Sequence, residues 1–116
     1  MFGNRRFSDR NHPEGVLSSL FDGASNFIGV VDDVSATGVR ISNIPAGFNC
    51  SSKQCFSLIN TLETDYKVVL IPRWTVTTNS GMYKTIGFKI YNPPPGWTQF
   101  VRKVTWGIQE QEVKYA

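Results

Sequence analysis

The sequence predicts a mainly β domain, a six-stranded antiparallel barrel followed by one short helix. Three observations carry that expectation. Val, Ile and Thr number 28 and Phe, Trp and Tyr 15, against nine Ala and Leu together. β-Branched and aromatic side chains suit a pleated, half-buried surface, whereas Ala and Leu favour helices. Two tight-turn signals each separate a pair of apolar runs. Near the C-terminus the apolar period changes from two residues to 3.6, the mark of a change from strand to helix.

Taken in order, Asp22-Gly23 divides the runs 16–21 and 27–31. Asp-Gly tolerates the positive φ of a hairpin turn, so these runs read as paired strands. In 39–42, Val39 and Ile41 point one way, Arg40 and Ser42 the other. Asn79-Ser80-Gly81 divides 68–78 from 82–91 and reads as a second hairpin. In the latter run Ile86, Phe88 and Ile90 share a face opposite Thr85, Lys89 and Tyr91. The run 68–71 is apolar on both faces, so a cover other than the sheet is expected over one of them. Pro93-Pro94-Pro95-Gly96 ends the sheet, because prolines donate no ladder hydrogen bonds. Trp97, Phe100, Val101 and Val104 then fall at i, i+3, i+4 and i+7, one helical face, with Gly107 as the stop. Such a sheet closes, since open edges invite pairing with other chains.

The 116 residues suit one domain. Its expected parts are an N-terminal arm (1–12), flexible and ligand-binding, a barrel (13–92), a helix (96–107) and a tail (108–116). No run of ~18 apolar residues is present to span a membrane. The first residues lack the apolar core of a signal peptide, so a cytoplasmic protein with Cys50 and Cys55 as free thiols is expected. Two Cys and one His do not complete a four-ligand zinc site, and no metal or cofactor is expected. The formal charge of +3 is mild. It also lies in the wrong half to mark a ligand: residues 1–58 hold five basic and five acidic side chains, residues 59–116 seven and four.

Two short patterns carry chemistry. Arg6-x-x-x-Arg10 stands in the basic N-terminal segment, directly behind Arg5. Asp33-x-Ser35-x-x-Gly38 stands at the turn joining two strands. Alone, each has a plain reading, the first as a solvated terminus and the second as turn chemistry, with Asp and Ser bonding nearby N–H groups. Together, with 22 residues between them, they resemble the signature pair of the PilZ domain family, RxxxR followed by (D/N)xSxxG. The resemblance runs over roughly residues 5–106. It includes the later Gly87-Phe88 strand and the terminal amphipathic helix.

The resemblance implies a PilZ-like barrel that binds cyclic di-GMP, a bacterial second messenger, through Arg5, Arg6, Arg10, Asp33, Ser35 and Gly38. These residue types suit the task independently. Arg grips guanine O6 and N7 bidentately, pairs with phosphate or stacks on a purine. Asp33 accepts from the guanine N–H edge, Ser35 offers a short hydroxyl, and Gly38 permits close backbone approach. A cation at Arg5 could reach a second, stacked ligand. The family also implies a non-enzymatic adaptor that signals through a protein partner in motility, pilus or polysaccharide-export machinery, with biofilm as the associated context.

Arg73 and Lys84 on later strands are further candidates for a phosphate. His12 reads as a surface side chain. A Ser35–His12–Asp33 triad lacks the strained nucleophile turn and is set aside. Glu110 and Glu112 stand in a polar tail rather than in a carboxylate pair, and Trp97 and Trp106 are expected against the barrel. Two other readings compete: a PilZ-fold structural adaptor that binds no nucleotide, and a small OB-like barrel binding single-stranded nucleic acid. The intact motif residues oppose the first. The modest charge and the lack of aromatic-basic interleaving oppose the second.

Overall fold

Alternation of inward apolar and outward polar residues organises the chain into six strands: β1 (Leu17–Phe21), β2 (Asn26–Val34), β3 (Gly38–Pro45), β4 (Cys55–Asn60), β5 (Asp65–Thr77) and β6 (Tyr83–Tyr91). A helix, α1, covers 97–105. The computed structural model describes residues 13–50 and 54–105. Arg5, Arg6, Arg10, His12, Trp106, Gly107, Glu110 and Glu112 lie outside the described residues. All neighbouring strands are antiparallel, and β4 returns to pair with β1. The sheet is therefore a closed barrel in the order β1-β2-β3-β6-β5-β4. Among the described residues no helix is long and apolar enough to cross a membrane.

Both expected hairpins form. Asp22 organises the first turn: its Oδ1 accepts from the backbone N–H groups of Ala24 and Ser25, both at 2.9 Å. Gly23 supplies φ 99°, which a side chain resists. These hydrogen bonds, Ser25 first, hold the Asp22 carboxyl below its usual pKa of 3.8. A lowered native pKa means that this stabilisation is complete above the unfolded value and is lost as pH falls through the native one. Asp22→Ala should therefore lower the melting temperature at pH 6, and the gap from wild type should narrow at a pH below the usual 3.8. Thermal melts of both proteins at the two pH values check this.

The barrel has two distinct ends. The turns after β2 and β4, the start of β1 and the end of β6 share the lower end; the other three connections share the upper end. Phe48, fully buried, plugs the upper end and meets Phe27 edge-on at 5.6 Å. The interior is filled by Leu20, Ile41, Ile44, Ile59, Leu70 and Ile90 among others. Its buried hydroxyls are paired, Ser18 with Ser57 at 2.6 Å.

The helix closes the lower end. Trp97 is fully buried, and Phe100, Val101 and Val104 pack against the same core, the face expected from their spacing. Lys103 reaches Glu63 on the β4–β5 turn at 2.8 Å. Of the run 68–71, Val68 and Leu70 face inward. Val69 lines an open groove on the outer surface, so the helix is not the cover expected over that second face. Helix and strands bury different surfaces because α1 caps an end of the barrel rather than a side.

Cys50 and Cys55 are both free. Cys55 opens β4 and is buried, and burial, with the Cys50 thiol beside it, pushes its pKa far up. That environment keeps it protonated and unreactive at neutral pH.

Candidate ligand-binding site

The turn between β2 and β3 brings three of the expected site residues together. Ser35 N–H donates to the Gly38 carbonyl at 2.9 Å, and the Ser35 hydroxyl reaches the same oxygen at 3.4 Å. This is the turn chemistry expected of such a cluster. Gly38 permits a close approach: a Cβ there would stand 3.0 Å from the Phe88 carbonyl. The turn is also tied to α1, since Trp97 Nε1 donates to the Ser35 carbonyl at 2.9 Å.

Counting outward from this turn places Val34 opposite Val39 and Asp33 opposite Arg40. A bulge between Val31 and Asp33 then turns both Asp32 and Asp33 towards Arg40. Arg40 Nη2 lies 2.9 Å from Asp32 Oδ2 and 3.0 Å from Asp33 Oδ2, and Arg40 Nε donates to Asp32 Oδ2 at 3.0 Å. Asp33 is only 5% exposed. A largely buried carboxylate needs such a partner, and the guanidinium fork fixes its orientation.

The row continues across the sheet. Arg40 is opposite Gly87 on β6, and Gly87 is opposite Trp74 on β5. The Trp74 indole lies over Gly87: a Cβ built there would overlap Cε2, Nε1 and Cζ2 of the ring. The absent side chain thus makes a bed for the aromatic. Trp74 remains 43% exposed. Beside it, Arg73 occupies a bulge between Pro72 and Trp74.

These residues line one open cleft of about 390 Å³, bordered by Asp33, Ser35, Gly38, Arg40, Arg73 and Trp74. The structure therefore gathers Asp33, Ser35 and Gly38 and adds Arg73, a secondary candidate from sequence. Lys84 does not line the cleft. Arg5, Arg6 and Arg10 lie outside the described residues. The sequence reading missed Arg40 and Trp74. Both were within reach of register counting, Arg40 from the Ser35–Gly38 turn and Trp74 from the β5–β6 hairpin.

Chemically the cleft combines an anchored carboxylate, a hydroxyl, two guanidinium groups and an exposed aromatic face. That set can take hydrogen-bond donors, anions and a flat ring. β1 begins at the lower end, where Val31 N–H donates to the Val16 carbonyl at 2.9 Å, next to the strand carrying Asp33. β1 therefore starts at the same end of the barrel as the β2–β3 turn.

No family model matches the chain, and no curated protein matches it in sequence. Among solved structures it is similar to the Bacillus subtilis inhibitor of motility (MotI/DgrA), with 13% sequence identity and a TM-score of 0.66. The match covers 92% of this chain and 52% of the other, so the chain spans about half that protein's length. At this identity the likeness is one of fold.

Proposed function

We propose that the chain is a PilZ-like, non-enzymatic receptor for cyclic di-GMP. The observation that carries this reading is the cross-strand row Asp33–Arg40–Gly87–Trp74, which sets a carboxylate, a guanidinium and an aromatic platform along one cleft. A guanine has complementary features: an N–H edge for Asp33, O6 and N7 for an Arg fork, and a π-face for Trp74. Ser35 and Arg73 stand ready for a phosphate. In this reading Arg6 and Arg10 close over the ligand from the N-terminal arm, and Arg5 contacts a second ligand molecule. Likeness of fold to an inhibitor of motility supports a motility-related adaptor. The signal then passes to a protein partner in motility, pilus or polysaccharide-export machinery, in the bacterial cytoplasm.

Magnitudes support a concerted site. Each charge-assisted hydrogen bond contributes about 1.5–3 kcal/mol, and micromolar affinity needs about 8 kcal/mol after ordering costs. One Arg cannot supply that, whereas a row of groups and two arm Arg together can.

Calorimetric titration with cyclic di-GMP tests the reading. Wild type should bind, and Arg6→Ala and Asp33→Ala should each weaken binding about tenfold or more. No heat from wild type at high micromolar ligand would leave the structural-adaptor reading in its place. Salt-sensitive oligonucleotide binding that survives both substitutions would favour the OB-like one.

A further inference from the structure

The side of the barrel away from the cleft carries a second surface. β1 and β4 lie across the barrel from β3 and β6. Their outward residues are Leu17, Ser19 and Phe21 on β1 and Phe56, Leu58 and Asn60 on β4. On the neighbouring β2, Ile28 and Val30 also point out. Register joins Phe21 to Phe56, Phe56 to Val69 and Val69 to Tyr91, an apolar row over four strands. Ile28 is 56% exposed and Phe56 51%. Ser19, small among large neighbours, helps to form a groove of about 610 Å³ lined by Phe21, Phe56, Leu58, Lys67 and Val69. Half-exposed side chains of this size present an apolar patch on the order of 500 Å², towards the upper end of the largest patch on a typical monomer and of a size that is often functional.

From this we infer that the outer face of β1 and β4 is an isologous dimer interface, and that its occupant is a second copy of this chain. The charge distribution selects that occupant. Two identical surfaces meeting face to face oppose like charges unless the face is neutral. The outward positions of β1 and β4, and Asn26, Ile28 and Val30 of β2, carry no charge, in a chain of net charge +3. Charges border it in both signs: Asp22 beside Phe21, Asp65 on β5, and Lys67 at the β5 side of the groove. Phe21 and Phe56 are direct cross-strand neighbours. A two-fold axis running between β1 and β4 therefore sets Phe21 of one copy on Phe56 of the other, and the reverse. The same axis carries β5 over β2 of the copy, so Lys67 does not meet itself. With its rim, the patch approaches the ~800 Å² per partner of a stable interface. The cleft, centred on β3 and β6 and bordered by Asp33 of β2 and by Arg73 and Trp74 of β5, lies outside this face.

Light scattering and sedimentation of the full chain, from about 1 to about 200 µM, test this. Wild type should move with concentration towards twice the 13.0 kDa chain mass. Phe56→Asp and Ile28→Lys should each raise the dissociation constant at least tenfold. Met82→Asp, at an exposed apolar side chain in the β5–β6 connection, should leave it unchanged. Circular-dichroism melts establish that each variant is folded, and Phe56→Ser replaces Phe56→Asp if the charge disturbs folding. A wild-type chain monomeric throughout the series overturns the inference and leaves the face to a different protein. A dimer that survives both interface substitutions, or is lost equally with Met82→Asp, also overturns it. None of these outcomes depends on cyclic di-GMP binding.

Discussion

Trp97→Ala should be the most destabilising single substitution at the lower end of the barrel, costing about 3–5 kcal/mol. The side chain is fully buried. It meets Tyr66 edge-on at 5.5 Å and Phe100 at 5.3 Å, and its Nε1 donates to the Ser35 carbonyl at 2.9 Å. Truncation leaves a cavity under α1 and removes that donor. Domains of this size have about 5–15 kcal/mol in hand, so a loss of roughly 10 °C or more in melting temperature is expected. Trp97→Phe separates the two contributions. It keeps most of the ring packing but not the N–H, and should cost about 1–3 kcal/mol. The site feels both changes, because the Ser35–Gly38 turn hangs from this hydrogen bond. A Trp97→Ala protein melting within a few degrees of wild type would show that α1 does not stabilise the barrel end.

How much of this was legible depended on how local each feature is. The two hairpins were, because Asp22-Gly23 and Asn79-Ser80-Gly81 specify their turns within a few residues. The face of α1 was also legible, since Trp97, Phe100, Val101 and Val104 repeat at helical spacing. The surface it covers was not: the sequence shows that a face is apolar, not which part of the barrel meets it. Val69 illustrates the gap, because its apolar character looked like a sign of cover and instead belongs to an exposed row with Phe56 and Tyr91. The site divides in the same way. Asp33, Ser35 and Gly38 share one turn and could be read together. Arg40 and Trp74 join them only through strand pairing, and three bulges, in β2–β3, β3–β6 and β5–β6, shift the register within that sheet. Each of these two pairings nevertheless falls between its turn and the first bulge. Thr77 with Lys84 near the β5–β6 turn leads without a shift to Trp74 with Gly87. A Trp opposite a Gly was therefore countable, and the count would have marked the aromatic wall of the cleft.

That pairing supports the second large effect: Gly87→Val should abolish most ligand binding while leaving the barrel folded. A side chain at this position overlaps the Trp74 indole, not backbone. The ring is exposed on its outer side and can swing away, and Val suits a strand better than Gly. The cost to stability should therefore be about 1 kcal/mol or less. The displaced indole no longer lies over position 87, and the new side chain occupies the floor of the cleft there. Loss of base stacking is worth about 1–3 kcal/mol. Added to the altered floor, it should weaken cyclic di-GMP binding by at least tenfold, a loss comparable to that of Trp74→Ala. Tryptophan emission should shift on mutation, while the circular-dichroism spectrum and melt report that the fold is intact. Because Gly87→Val already removes the stacking that Trp74 supplies, the double variant should bind no more weakly than Gly87→Val alone. Additive losses in that cycle would mean that the indole and the glycine contribute separately, and that the aromatic platform is not what Gly87 provides.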